Sequence, residues 1–152
     1  MDKVIVNSTP VIGLANIDRL DVLRQMYGTI TIPKAVFDEI KSPSVLKQVK
    51  ANRDWIFIEQ INDASQKQMY RAKLHAGEVE VMILAQEKKA DLVILDDNAA
   101  KKTAKFLGLR VIGTLGIFIL AKKRGYIKEV SPVLDALKRD GFLSAMIYAI
   151  WC

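Results

Sequence analysis

Two adjacent carboxylates, Asp96 and Asp97, close a short apolar run, Leu92-Val93-Ile94-Leu95. A second apolar run, Val4-Ile5-Val6, closes on an amide, Asn7, followed by Ser8, Thr9 and Pro10. If both runs are strands of an open parallel sheet, these side chains emerge at its carboxyl edge, where such sheets bind ligands. Acids gathered there hold a metal ion or exchange protons. Two more positions could join them. Glu39 follows Val36 by three residues and so lies on a neighbouring helix surface, with Asp38 as its rival. Glu78 opens a mostly apolar helical stretch, with Glu80 as the competing residue. Each also has a plainer reading. Glu39 suits a solvated helix face. Glu78 suits a first-turn acid, favoured at a helix N-terminus by about 0.3–1 kcal/mol. Asp97 or Asn98 suits the cap of the next helix. Asp96 comes straight off an apolar strand, which puts it at the buried mouth of the sheet.

Carboxylates that crowd together repel, and their pKa values rise unless a cation compensates. Carboxylate and amide oxygens without His or Cys suit Mg²⁺ or Mn²⁺. Such an ion lowers the pKa of bound water and stabilises in-line displacement at phosphorus. The one histidine, His75, and the one cysteine, Cys152, argue against a zinc hydrolase, a Ser-His-Asp triad or an internal disulfide. The net charge is +6, and eight of the basic residues lie between Asn98 and Lys128, a stretch without a single acid. The plain reading is a solvated cationic face. Because the stretch starts beside Asp96-Asp97, Lys101, Lys102, Lys105 and Arg110 are also candidates to grip a phosphodiester backbone.

The elements that must position these groups alternate. Strands are predicted at Val4–Val6, Thr29–Ile32, Trp55–Glu59, Leu92–Leu95 and Arg110–Ile112. Helices are predicted at Pro10–Asn16 (capped by Ser8 or Thr9), Leu20–Tyr27, Lys34–Lys41, Val45–Ala51, Ala64–Leu74, Glu78–Lys88 (preceded by Gly77), Asn98–Leu107, Leu115–Arg124, Val130–Arg139 and Leu143–Ile150. Strands that are apolar throughout suit a sheet covered on both faces. The alternation suits an α/β sandwich with right-handed crossovers. At 152 residues, 51% apolar and 26% charged, one soluble domain over 1–152 is expected. No apolar run is long enough to span a membrane and no signal pattern opens the chain, so a cytoplasmic location is expected. The apolar tail Tyr148-Ala149-Ile150-Trp151 suits either packing on its own domain or a dimer contact.

Several segments resemble the PIN-domain nucleases. The opening Val-Ile-Val-Asn-Ser-Thr-Pro-Val-Ile-Gly-Leu-Ala is similar to their first strand and helix. Ile32-Pro33-Lys34-Ala35-Val36-Phe37-Asp38-Glu39-Ile40 resembles the segment that carries their second acid. Gly77-Glu78-Val79-Glu80 and Leu95-Asp96-Asp97-Asn98-Ala99-Ala100 resemble the third and fourth, and Val111-Ile112-Gly113-Thr114-Leu115-Gly116 resembles a largely uncharacterised prokaryotic subgroup. The resemblance covers almost the whole chain. It implies a three-layer α/β/α sandwich with a five-stranded parallel sheet in the order 3-2-1-4-5, and a Mg²⁺- or Mn²⁺-dependent ribonuclease. Many relatives are toxins held inactive by a small antitoxin and commonly homodimeric. The implied site is Asn7, Glu39, Glu78 and Asp96, with Asp97 as an additional acid and Ser8 or Thr9 in support. Thr114 is a weaker candidate, because a Gly-Thr pair before a helix is also a plain cap.

The departure is Asn7, where the wider family has Asp as the principal metal ligand. An amide oxygen can still coordinate an ion, but it brings no charge. Two functions therefore compete: a metal-dependent endoribonuclease, and a catalytically weakened module that binds RNA or a protein. A phosphatase with an aspartyl nucleophile is disfavoured, since it would want Asp where Asn7 stands.

Overall fold

Five short apolar segments pair in parallel, and their order across the sheet is β3-β2-β1-β4-β5. They are β1 (Val4–Val6), β2 (Ile30–Pro33), β3 (Ile56–Glu59), β4 (Leu92–Ile94) and β5 (Val111–Ile112). The computed structural model describes residues 3–71 and 74–139. Helices flank the sheet: α1 (Ser8–Asn16), α2 (Asp21–Tyr27), α3 (Lys34–Glu39), α4 (Pro43–Ala51), α5 (Lys67–Arg71), α6 (Ala76–Glu87), α7 (Asn98–Phe106), α8 (Thr114–Lys123) and α9 (Ser131–Arg139). This is the expected sandwich with the expected strand order. The expected helix at Leu143–Ile150 and the apolar tail lie outside the described residues.

Every residue of β1 and β2 is buried, the polar Thr31 included, as suits strands at the centre of a covered sheet. The register pairs Val6 with Ile94, and the Asn7 N–H donates to the Ile94 carbonyl at 2.9 Å. The first and fourth strands are thus neighbours at the point where the strand order reverses, the place in open sheets where ligand crevices form. Helix α6 packs on α3, α5, β1 and β2. It is buried from Gly77 to Ala85 without interruption, Glu78 and Glu80 included. Its first turn is therefore carried into the protein with its acids.

Most boundaries shift by a residue or two, and the helix expected at Ala64–Leu74 is a 3-10 turn at Ala64–Gln66 followed by α5; three differences bear on the site. Helix α1 starts at Ser8, so Asn7 stands at the N-cap and Ser8 and Thr9 lie in the first turn. Helix α6 starts at Ala76, with His75 at the N-cap and Gly77 inside the helix. Helix α3 ends at Glu39, because Ile40 turns extended and buries its side chain. Ser42 then caps α4 by accepting from the Val45 N–H, with Pro43 in the first turn.

Candidate active site at the carboxyl edge

Asn7, Ser8, Thr9, Glu39, His75, Ala76 and Glu78 line one pocket of about 320 Å³. Three separate segments meet there: the start of α1, the end of α3 and the start of α6. The tertiary contacts decide between the paired candidates. Glu39 turns to the pocket, where its carboxylate accepts from the Ser8 hydroxyl at 3.0 Å and the Gly77 N–H at 2.7 Å. Its rival Asp38 pairs with Lys34 on the surface, at 2.6 Å. Glu78 lines the pocket and accepts from the His75 N–H at 3.0 Å. Its rival Glu80 is also buried, but it accepts from the Ala35 N–H at the start of α3 and pairs with Lys67. That makes Glu80 a tie between elements.

Gly77 is what lets Glu39 approach. A Cβ built there would lie 2.5 Å from one Glu39 oxygen and 2.6 Å from the other. Gly77→Ala therefore separates fold from site. The displaced group is the tip of a flexible side chain, so it moves aside. The loss of a charge-assisted hydrogen bond is offset in part by alanine's helix preference, up to about 1 kcal/mol. The variant is expected to unfold within about 2 kcal/mol of wild type but to lose Glu39 from the pocket. Chemical denaturation and a crystal structure check the two halves; an unmoved Glu39 would refute the second.

Asn7 is 4% exposed, and its side-chain oxygen is buried without a hydrogen-bond partner. As an N-cap residue it could accept a first-turn N–H, yet it makes no side-chain cap bond. A buried carbonyl oxygen left unpaired costs about 1–3 kcal/mol, so the position calls for a donor or a cation.

Burial pushes the Glu78 carboxyl above its usual range, and the negative charges of Asp97 and Glu39 push the same way, against the His75 N–H and the His75 side chain. Asp97 thus acts on the pocket electrostatically. It also caps α7, accepting from the Ala100 N–H at 2.9 Å. A raised folded pKa means that the native state binds the Glu78 proton more tightly than the unfolded chain does. The Glu78 contribution to stability is then greatest below the unfolded value, near 4.5, and declines as pH rises through the folded value. Glu78→Gln, which keeps an acceptor for the His75 N–H, is expected to flatten that decline. Urea unfolding of both proteins across the acid-to-neutral range measures it; a wild-type-minus-variant difference independent of pH would refute it.

Asp96 is buried at the carboxyl edge but does not line the pocket. Both its oxygens are held by Thr114, from the N–H at 2.8 Å and the hydroxyl at 2.7 Å. Thr114 is the first residue of α8 and is fully buried. Asp96 thus closes the N-terminus of α8 from a neighbouring strand. The Gly-Thr pair at 113–114 was the one sequence signal of this contact. Lys101 stands beside it: a Cβ on Gly113 would lie 2.9 Å from both Asp96 Oδ1 and Lys101 Nζ. Lys102 and Lys105 are exposed further along α7. Arg110 is set apart, before β5 at the amino edge, where it lines another cavity with Asp91 and Arg124. Sequence reasoning missed His75 as a pocket residue. Its signal was its place three residues before Glu78, the capping-box spacing.

The donors here are oxygens. Among the described residues no three His, Cys, Asp or Glu side chains stand as a ready cluster for one ion. A 3-2-1-4-5 parallel sheet with an oxygen-lined crevice at its carboxyl edge defines a doubly wound α/β protein with a ligand site at the switch point. The sequence matches the PIN-domain family over residues 3–149, and the chain belongs to that family. A PilT N-terminus domain protein from the hyperthermophilic archaeon Sulfolobus solfataricus P2 has a similar solved structure. Its TM-score is 0.51 at 17% identity, with 75% of this chain and 89% of that chain covered. At that identity the likeness shows the fold alone. No curated protein matches the chain. Among the described residues no helix is long and apolar enough to cross a membrane.

Proposed function

We infer that this chain is a divalent-metal-dependent endoribonuclease whose pocket is built on Asn7, Glu39 and Glu78, with Asp96 and Asp97 at its border. The observation that carries this reading is the unpartnered, buried Asn7 oxygen in a pocket shared with two carboxylates. An amide oxygen and one or two carboxylates, completed by water, are a donor set that Mg²⁺ or Mn²⁺ accepts. When bound, such an ion would supply a water of lowered pKa and offset charge on a phosphodiester. The protein's own groups hold the ligands in place. The Ser8 hydroxyl and the Gly77 N–H fix Glu39, and the His75 N–H fixes Glu78. Family membership favours RNA as substrate. A role as the toxin of a toxin–antitoxin pair, and a homodimeric state, rest on the family resemblance alone.

The second reading is an RNA- or protein-binding module that cuts little. It is favoured by the missing charge at Asn7 and by carboxylates already engaged within the protein. One experiment separates the two. With Mn²⁺ at about 100 times its dissociation constant, a specific site adds about 2.7 kcal/mol of stability. Thermal unfolding should show that gain, and cleavage of single-stranded RNA should require the ion and disappear in Glu78→Gln. Stabilisation without cleavage selects the binding module. The absence of any Mn²⁺ or Mg²⁺ stabilisation would sink the metal site.

A further inference from the structure

Helix α7 runs away from the Asp97 cap for nine residues, about 13 Å along its axis, and ends on Phe106. Its buried stripe is Ala100 and Ala104. Lys102 and Phe106, four residues apart, share the opposite and outermost line of the helix. Phe106 is 89% exposed, the highest value among the exposed large hydrophobic residues described. The outward line of an amphipathic surface helix is ordinarily polar, and here it offers an aromatic ring free for contact. Its neighbours are cations: Lys102 and Lys105 are exposed, and among the described residues no ion pair engages either. No acid occurs between Asn98 and Lys128.

The geometry points to α7 as an entry track for single-stranded RNA, with Phe106 stacking an unpaired base while Lys102 and Lys105 hold the flanking phosphates. This rests on the RNA-directed reading above and adds a place and a mode of contact. A lone aromatic among lysines is not a contiguous apolar patch of the kind a protein interface needs. It is the combination that single-strand binders use, in which cations track the backbone and a ring receives a base of any identity. The track begins at Lys101, beside Asp96, so a strand lying along α7 would lead to the acidic edge.

The test is metal-free binding, in EDTA, of the full chain to a fluorescent single-stranded RNA and to a duplex of the same sequence. Phe106→Ala is expected to weaken single-strand binding about 10-fold while leaving its salt dependence unchanged. Phe106→Trp is expected to retain it. Lys102→Ala should instead lower the salt slope by about 0.7. A 2-aminopurine base in the strand should be quenched by wild type and not by Phe106→Ala. Duplex binding should be the same for both, because paired bases are closed to stacking. If wild type binds single strands and Phe106→Ala binds them equally well, stacking at Phe106 is wrong and the RNA reading stands. If wild type binds no RNA, both fail. If Phe106→Ala acts only by converting a dimer to monomers in sedimentation, Phe106 is a self-association contact and the inference is overturned.

Discussion

Asp96→Ala is expected to lower the unfolding free energy by about 2–4 kcal/mol. The carboxylate accepts both donors of Thr114, and both partners are buried. Truncation leaves an N–H and a hydroxyl at the start of α8 without acceptors, each costing about 1–3 kcal/mol. Thr114→Val removes only the hydroxyl and leaves the backbone bond, so its loss should be smaller. Because the residues are in direct contact, their effects should couple by about 0.5–3 kcal/mol in a double-mutant cycle. Asp96→Asn is the informative comparison. Its amide can still accept from the Thr114 N–H and meet the hydroxyl, so the fold should hold within about 1 kcal/mol. The negative charge at the site border is gone, and RNA cleavage should fall to background. Denaturant unfolding and a cleavage assay read the two effects. A well-folded Asp96→Asn with undiminished cleavage would confine Asp96 to the support of α8.

Asn7→Asp is expected to change sign with metal. Without an ion, the variant places a further carboxylate at a position 4% exposed, in a pocket that already contains Glu39 and Glu78. Desolvation and like charge both oppose it, and stability should drop by about 1–3 kcal/mol or the new acid should stay protonated. With Mn²⁺ the added charge faces a dication. Even at an effective dielectric of about 20, attraction over a few ångströms amounts to several kcal/mol. A gain of at least 10-fold in affinity, about 1.4 kcal/mol, is a conservative expectation. Isothermal titration and thermal unfolding with and without Mn²⁺ test both halves. Unchanged affinity would remove Asn7 from the ion's surroundings. A gain in affinity together with faster cleavage would identify the missing charge as what limits cleavage.

Most of the architecture was legible because two of the strands are apolar throughout, which specifies burial on both faces, and strands alternate with helices along the chain. The resemblance then supplied the strand order. The edge positions of Asp96 and Asn7 were legible for a similar reason, since both follow apolar strands directly and must emerge at one edge. The choice within each pair of neighbouring acids was not. Asp38 and Glu39 are adjacent on one short helix, and Glu78 and Glu80 are two apart on another. Only the packing of α3 against α6 sends Glu39 to Gly77 and binds Glu80 to the Ala35 N–H.

The sequence by itself determined which segments form the sheet and which residue types stand at its carboxyl edge. Side-chain hydrophobicity and its period act locally and survive any detail of packing. The tertiary structure alone decided what those residues touch. It turned Asp96 onto Thr114, closed Glu39 against a glycine that has no Cβ to block it, and left the Asn7 oxygen buried without a partner. Hydrogen bonds reach about 3 Å, so they depend on how residues far apart in the chain are brought together, and no spacing along the sequence encodes that.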